Sequence, residues 1–194
     1  MVFYKAKMTY SEKSIYKLTE TQYSTFQSEK KLIIVSTAVA FIFIGFIRGI
    51  SSVTGIVFLF AGSILLTGTN TRPRATAKIF VSQLKGKYPK FSYNFEDKEF
   101  YVYGEGSPTA YKSAVCLIED TEYLYIYTNP DKAYMIEKTS VQGENGLDGL
   151  KSFVAQRSGL EWEHSFSLLG LNYKSLKKML SRIKLRKNYY SGKS

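Results

Sequence analysis

The chain has 194 residues, with 27 Lys and Arg against 16 Asp and Glu, a formal net charge of +11, and only one cysteine and one histidine. One cysteine excludes an internal disulfide, and a lone histidine leaves no ligand set with the paired spacing of a zinc site. A positive excess of this size points to an anionic surface as partner.

In chain order, Val2-Phe3-Tyr4-Lys5-Ala6-Lys7-Met8-Thr9-Tyr10 places apolar residues at even positions and Lys5, Lys7 and Thr9 between them. This period of two predicts a half-buried strand, which needs partners from elsewhere in the chain. Thr19 to Lys31 begins with turn or capping residues and then sets Tyr23 and Phe26 at helical spacing, predicting a short helix.

Leu32 to Thr69 is almost wholly apolar, interrupted only by Arg48 and the turn Gly49-Ile50-Ser51-Ser52. About 20 apolar residues cross a bilayer core of roughly 30 Å as a helix, so the stretch predicts a two-helix transmembrane hairpin with short spans. The alternative is a buried hairpin in a soluble core, which leaves little chain to cover two all-round apolar helices. Lys30 and Lys31 precede the stretch, while Arg72, Arg74 and Lys78 follow it, so both termini are expected in the cytoplasm. The apolar run starts too late for a secretory signal peptide and is expected to be retained.

After the hairpin, Asn70 or Thr71 can cap a helix with Pro73 in its first turn, which Gly86 and Pro89 end. Phe91, Tyr93 and Phe95 alternate before Glu96-Asp97-Lys98, and Phe100 to Tyr103 follows, predicting a β-hairpin. Tyr111 to Ile118 and Tyr123 to Tyr127 flank Glu119-Asp120-Thr121-Glu122 as a second hairpin, and Asn129-Pro130-Asp131 leads into the strand Ala133 to Glu137. Leu147, Leu150, Phe153 and Val154 mark a helix ending near Ser158-Gly159. Strands at short, regular spacing favour an antiparallel meander. The expected fold is an α+β membrane protein, a two-helix transmembrane hairpin carrying a pleckstrin-homology-like curved antiparallel sheet closed by a C-terminal helix. Its parts are an N-terminal strand and short helix (1–31), the hairpin (32–69), a cytoplasmic β domain with flanking helices (70–160) and a basic amphipathic tail (161–194).

The strand, the apolar hairpin, FSYNFEDKEF, YKSAVCLIEDTEYLYIYTNPDKAYMIEKTSV and the helix with Phe153 together resemble the YcxB-like family of bacterial membrane proteins. Tyr111, Ile118, Glu119, Tyr123, Tyr125, Ile136 and Lys138 match that pattern, while Glu137 stands where the family has Pro. The resemblance covers about residues 1 to 160 and implies a membrane location and a domain shape. It implies no catalytic residues.

The residues themselves carry no recognisable chemistry. His164 has no ligand partners at metal spacing, so no metal or cofactor is expected. Cys116, between Val115 and Leu117, reads as a small apolar strand residue with no flanking base to activate it. Gly104-Glu105-Gly106 lacks the lysine and helix start of a phosphate loop. Glu119, Asp120 and Glu122 read as solvated carboxylates at a turn, and the tyrosines as strand formers.

In the tail, Lys174, Lys177, Lys178, Arg182, Lys184, Arg186 and Lys187 occur with no acidic residue after Glu163, while Leu169, Tyr173, Leu176, Met179, Leu180 and Ile183 recur on one side. This is a basic amphipathic helix. Those seven basic residues are the candidate contacts to the anionic cytoplasmic leaflet, and a helix docked on the domain with a solvated basic face is the equal alternative. Nucleic acid is not expected, because no recognition module accompanies the charge. The functional expectation is a non-catalytic binding or scaffold protein at the membrane. Its alternatives are an accessory subunit or homo-oligomer, with Gly55, Ala61 and Gly62 meeting partner helices, and an unrecognised membrane enzyme.

Overall fold

A computed structural model describes residues 1–69, 71–104, 107–164 and 173–192. β1 (Tyr4–Thr9) buries Tyr4, Ala6 and Met8 and exposes Lys5, Lys7 and Thr9, following its period-two pattern. Met8 is fully enclosed, a burial that contributes about 1.5 to 3 kcal/mol. Ser11 then caps α1 (Glu12–Phe26): its hydroxyl accepts from the Ser14 amide, and the Ser14 hydroxyl accepts from the Ser11 amide. Reciprocal caps of this kind satisfy two amides that the first helical turn leaves free.

The chain kinks at Gln27 and continues as α2 (Ser28–Arg48), turns at Gly49 with φ +86°, and returns as α3 (Val53–Gly68). At 1.5 Å per residue α2 is roughly 31 Å long and α3 roughly 24 Å. The two helices are long and apolar enough to cross a membrane, the second when α4 (Thr71–Leu84) is counted with α3. Their contact runs along Ala38 and Gly45 on one helix and Gly55 and Gly62 on the other, all buried. A Cβ on Gly62 would lie 2.8 Å from the Ala38 carbonyl oxygen, and one on Gly55 would lie 3.0 Å from that of Gly45. Gly55 and Gly62 are therefore consumed inside the hairpin and do not face outward to a partner helix. The outward faces carry Ile33, Phe43, Ile47, Val57, Phe60 and Ile64, each more than half exposed. A soluble-core hairpin would bury these side chains, and among the described residues nothing covers them.

α4 packs back on α1 through Pro73 and Ala77. Then come β2 (Lys90–Phe95), β3 (Glu99–Val102), the short β4 (Thr109–Ala110), β5 (Cys116–Glu119), β6 (Tyr123–Asn129), β7 (Lys132–Glu137), the short β8 (Gln142–Gly143), α5 (Gly146–Ser158), β9 (Trp162–His164) and α6 (Tyr173–Ser191). The strands form two sheets, with orders β4-β3-β2-β1-β8 and β7-β6-β5-β9. β1 pairs antiparallel with β2 along its full length, Ala6 opposite Tyr93 and Met8 opposite Phe91. A 3-10 turn at Lys138–Ser140 carries the chain from β7 in one sheet to β8 in the other, where the Ser140 hydroxyl bonds both amide and carbonyl of Lys7.

The single curved antiparallel sheet expected from the meander is thus two sheets, neither of them closed on itself. The β5–β9 pair is parallel, Leu117 opposite Trp162 and Glu119 opposite His164. The tail region therefore opens with a strand that belongs to the second sheet. Between the sheets, α1 and α5 lies one core containing Phe95, Phe100, Tyr111, Leu117, Tyr125, Ile136 and Leu150. Its aromatic rings meet both stacked, as Phe95 and Phe100 do at 5.5 Å, and edge to face, as Phe100 and Tyr134 do at 4.9 Å.

Candidate functional site

The basic helix α6 crosses one end of the second sheet. Lys178 pairs with Glu161 at 3.1 Å and Glu163 at 3.3 Å, Arg182 with Glu163 at 2.6 Å, and Arg186 with Glu29. Arg186 also donates to the Phe26 carbonyl at 2.9 Å, and the Tyr190 hydroxyl donates to Asp131. In sequence order the helix touches the β9 edge, then the joint between α1 and α2, then the β6–β7 turn. Phe26 at that joint stacks edge to face on Tyr127, near the end of β6. The helix therefore lies across the strand ends nearest the apolar hairpin, one turn before Leu32.

Residues 178, 182 and 186 recur at i, i+4 and i+8 and share the docked face, joined by Leu185 against the core. Arg182 and Arg186 side chains are only 13% and 14% exposed. Lys177, Leu180, Lys184 and Lys187 recur at i, i+3, i+7 and i+10 on the opposite face and are exposed, Leu180 by 57%. Lys174 lies in the first turn of α6. The side chains of Lys174, Tyr173, Leu176 and Met179, and all of Leu169, lie outside the described parts. The sequence pattern of a basic helix did not separate the two faces. The missed partners were Glu163 in β9, Glu161 just before it, and Glu29, remote in sequence.

A second charged cluster sits at Glu119, which is 9% exposed. Its carboxylate accepts from Lys151 at 2.8 Å and Lys138 at 3.3 Å, with His164 Nε2 at 3.9 Å. Burial by itself would raise this carboxyl, but the two ammonium groups outweigh it and hold it below the usual carboxylate range. Asp120 accepts from the amides of Glu122 and Tyr123 and from the Tyr125 hydroxyl, all within 2.8 Å, and Glu122 pairs with Lys13. Of the three carboxylates expected to be solvated, Glu119 and Asp120 are instead structural, whereas Glu122, 41% exposed in its pair with Lys13, is solvated. Glu119 fastens α5 and the Lys138 turn to the sheet, and Asp120 shapes the β5–β6 turn.

Cys116 is buried, and burial pushes its thiol up to about 12, with Arg182 opposing. Burial likewise raises the phenols of Tyr111, Tyr125 and Tyr127. Each of these groups is driven toward its neutral form, away from the poise near pH 7 that acid–base or nucleophilic chemistry uses. Among the described residues, no three of His, Cys, Asp and Glu converge as metal ligands. The chain matches no protein-family model, no curated protein and no solved structure.

Proposed function

We propose that this chain is an integral membrane protein with two spans and both termini in the cytoplasm, acting as a non-catalytic binding or scaffold protein. Its α+β domain is a variant of the pleckstrin-homology-like architecture, in keeping with the resemblance to the YcxB-like family. The observation that carries the reading is the uncovered apolar surface of α2 and α3, which in water would be a patch far larger than soluble monomers expose. The sheet supports the topology. β1 precedes the hairpin, β2 follows it, and the two are hydrogen-bonded, so both flanks stand on one side of any bilayer that α2 and α3 cross. The flanking Lys30, Lys31, Arg72 and Arg74 assign that side to the cytoplasm. The accessory-subunit reading loses its best support, because Gly55 and Gly62 pack within the hairpin.

The test is a carbonate wash of membranes combined with a reporter fused after Ser194. Retention in the pellet with a reporter active only inside the cell is expected. Release by carbonate would overturn the spans, and a reporter active only outside would overturn the orientation.

A further inference from the structure

We infer that α6 is a shelf that rests on the anionic cytoplasmic leaflet, with Lys177, Lys184 and Lys187 meeting lipid phosphates and Leu180 dipping between them. The inference rests on the membrane reading above, because the hairpin is what brings the shelf to the bilayer. Three observations carry it. The first is placement: Arg186 is tied to Glu29 and to the Phe26 carbonyl, and Lys30, Lys31 and then the apolar run begin directly after Glu29. Glu29 lies three residues before Leu32, so Arg186 anchors α6 within about one helical turn of the start of the apolar run.

The second is the sorting of charge. Lys178, Arg182 and Arg186 are already neutralised by Glu161, Glu163 and Glu29, so they hold the helix to the domain and are not spent on lipid. The outward face has no carboxylate, and its lysines and Leu180 form the pattern of an interfacial helix, cations beside an apolar wedge. The third is stability without lipid: the inward ion pairs keep the helix folded and oriented in advance, so the ordering cost on binding is small. Each lysine near such a surface strengthens contact about fivefold, and three together on the order of 100-fold.

The experiment uses the full-length chain carrying Cys116→Ser and Leu180→Cys, labelled with an environment-sensitive fluorophore. The chain is reconstituted into vesicles of phosphatidylcholine alone or with phosphatidylglycerol. The expected result is a blue-shifted emission, quenched by lipid-borne quenchers, in the anionic vesicles only. It should be lost in 1 M salt, where screening reaches about 3 Å. Replacing Lys177, Lys184 and Lys187 with Gln should return the probe to its aqueous spectrum. In a parallel chain keeping Cys116 and Leu180, the same triple replacement should leave Cys116 as protected from thiol reagents as before, because the docked face is intact.

A water-exposed probe in both vesicles, or an equal shift in both, would overturn the inference while the protein still floats with the vesicles after a carbonate wash. A protein that the wash strips off refutes the spans, and with them the inference.

Discussion

Replacing Glu119 with Gln removes one charge from a site where two lysines converge, and the structure sets the size of the effect. At an effective dielectric of 20, two unit charges 4 Å apart attract by about 4 kcal/mol, and Glu119 has two such partners. Desolvation offsets much of this, because the Glu119 side chain is only 11% exposed. Once the carboxylate is neutral, Lys138 keeps its bond to the Asp120 carbonyl and Lys151, one-quarter exposed, can swing toward water. The expected loss is therefore about 2 to 3 kcal/mol, under the 3 to 5 of a fully buried broken pair.

Trp162, the chain's one tryptophan, reports on this site, since its indole donates to the Lys151 carbonyl at 2.8 Å. Urea unfolding in mild detergent followed by its fluorescence gives the difference. A double-mutant cycle with Lys151→Met should return a coupling above about 1 kcal/mol. The carboxyl is held low in the folded state, so its contribution is complete above the ordinary value of about 4.3. It is lost as pH falls through the lower folded value. Wild-type protein should show this acid loss and the Gln variant should lack it. A Glu119→Gln change within 0.5 kcal/mol of wild type, with no altered acid limb, would show the cluster to be solvated and the argument unsound.

Gly62→Val should loosen the hairpin by about 1 to 3 kcal/mol through overpacking against the Ala38 backbone, read as a lower thermal midpoint in detergent. Gly68→Val, where an added Cβ meets nothing within 4 Å, is the matched control and should change little. Leu180→Ala should shift stability by less than about 0.5 kcal/mol, because that side chain faces outward. Cys116, buried and with its thiol pushed up to about 12, should resist maleimide at pH 8 in the folded protein and label fully in denaturant.

The elements that sequence made legible are those whose periodicity is local and long. β1 alternates over its whole length, the hairpin is apolar over two full helices, and the β2–β3 turn and β7 lie where their patterns put them. The first seven residues of α1 were illegible for a physical reason. In that stretch only Ser14 and Ile15 are buried, with Leu18 packed beside them, and polar Ser14, Thr19, Thr21, Ser24 and Thr25 share the buried side with Ile15, Tyr23 and Phe26, so the apolar spacing is diluted. β8 and β9 are two and three residues long, too short for any pattern, and the parallel pairing of β9 depends on where α5 returns the chain. Within the candidate site, the basic character of α6 was plain. Which basic residues bind carboxylates turned on Glu161, Glu163 and Glu29, the last 157 residues away from Arg186, contacts that only the folded chain reveals.

The place of β1 between β2 and β8 ties the synthesis of this protein to its architecture. Tyr4 to Thr9 leaves the ribosome before the hairpin, yet its hydrogen-bonding partner β2 comes roughly 85 residues later, a wait of roughly 4 to 20 s at ordinary translation rates. During that interval the strand's apolar face has no sheet to join, while the two apolar helices α2 and α3 are made. On the two-span proposal, the first sheet can be completed only after α2 and α3 have both crossed the bilayer and the chain has returned to its starting side. A hairpin inserted by a single span would strand β1 and β2 on opposite sides. Under that proposal, pairing of β1 with β2 is possible only for a chain that carries both spans across, and a half-inserted chain would keep the edge of β1 unpaired.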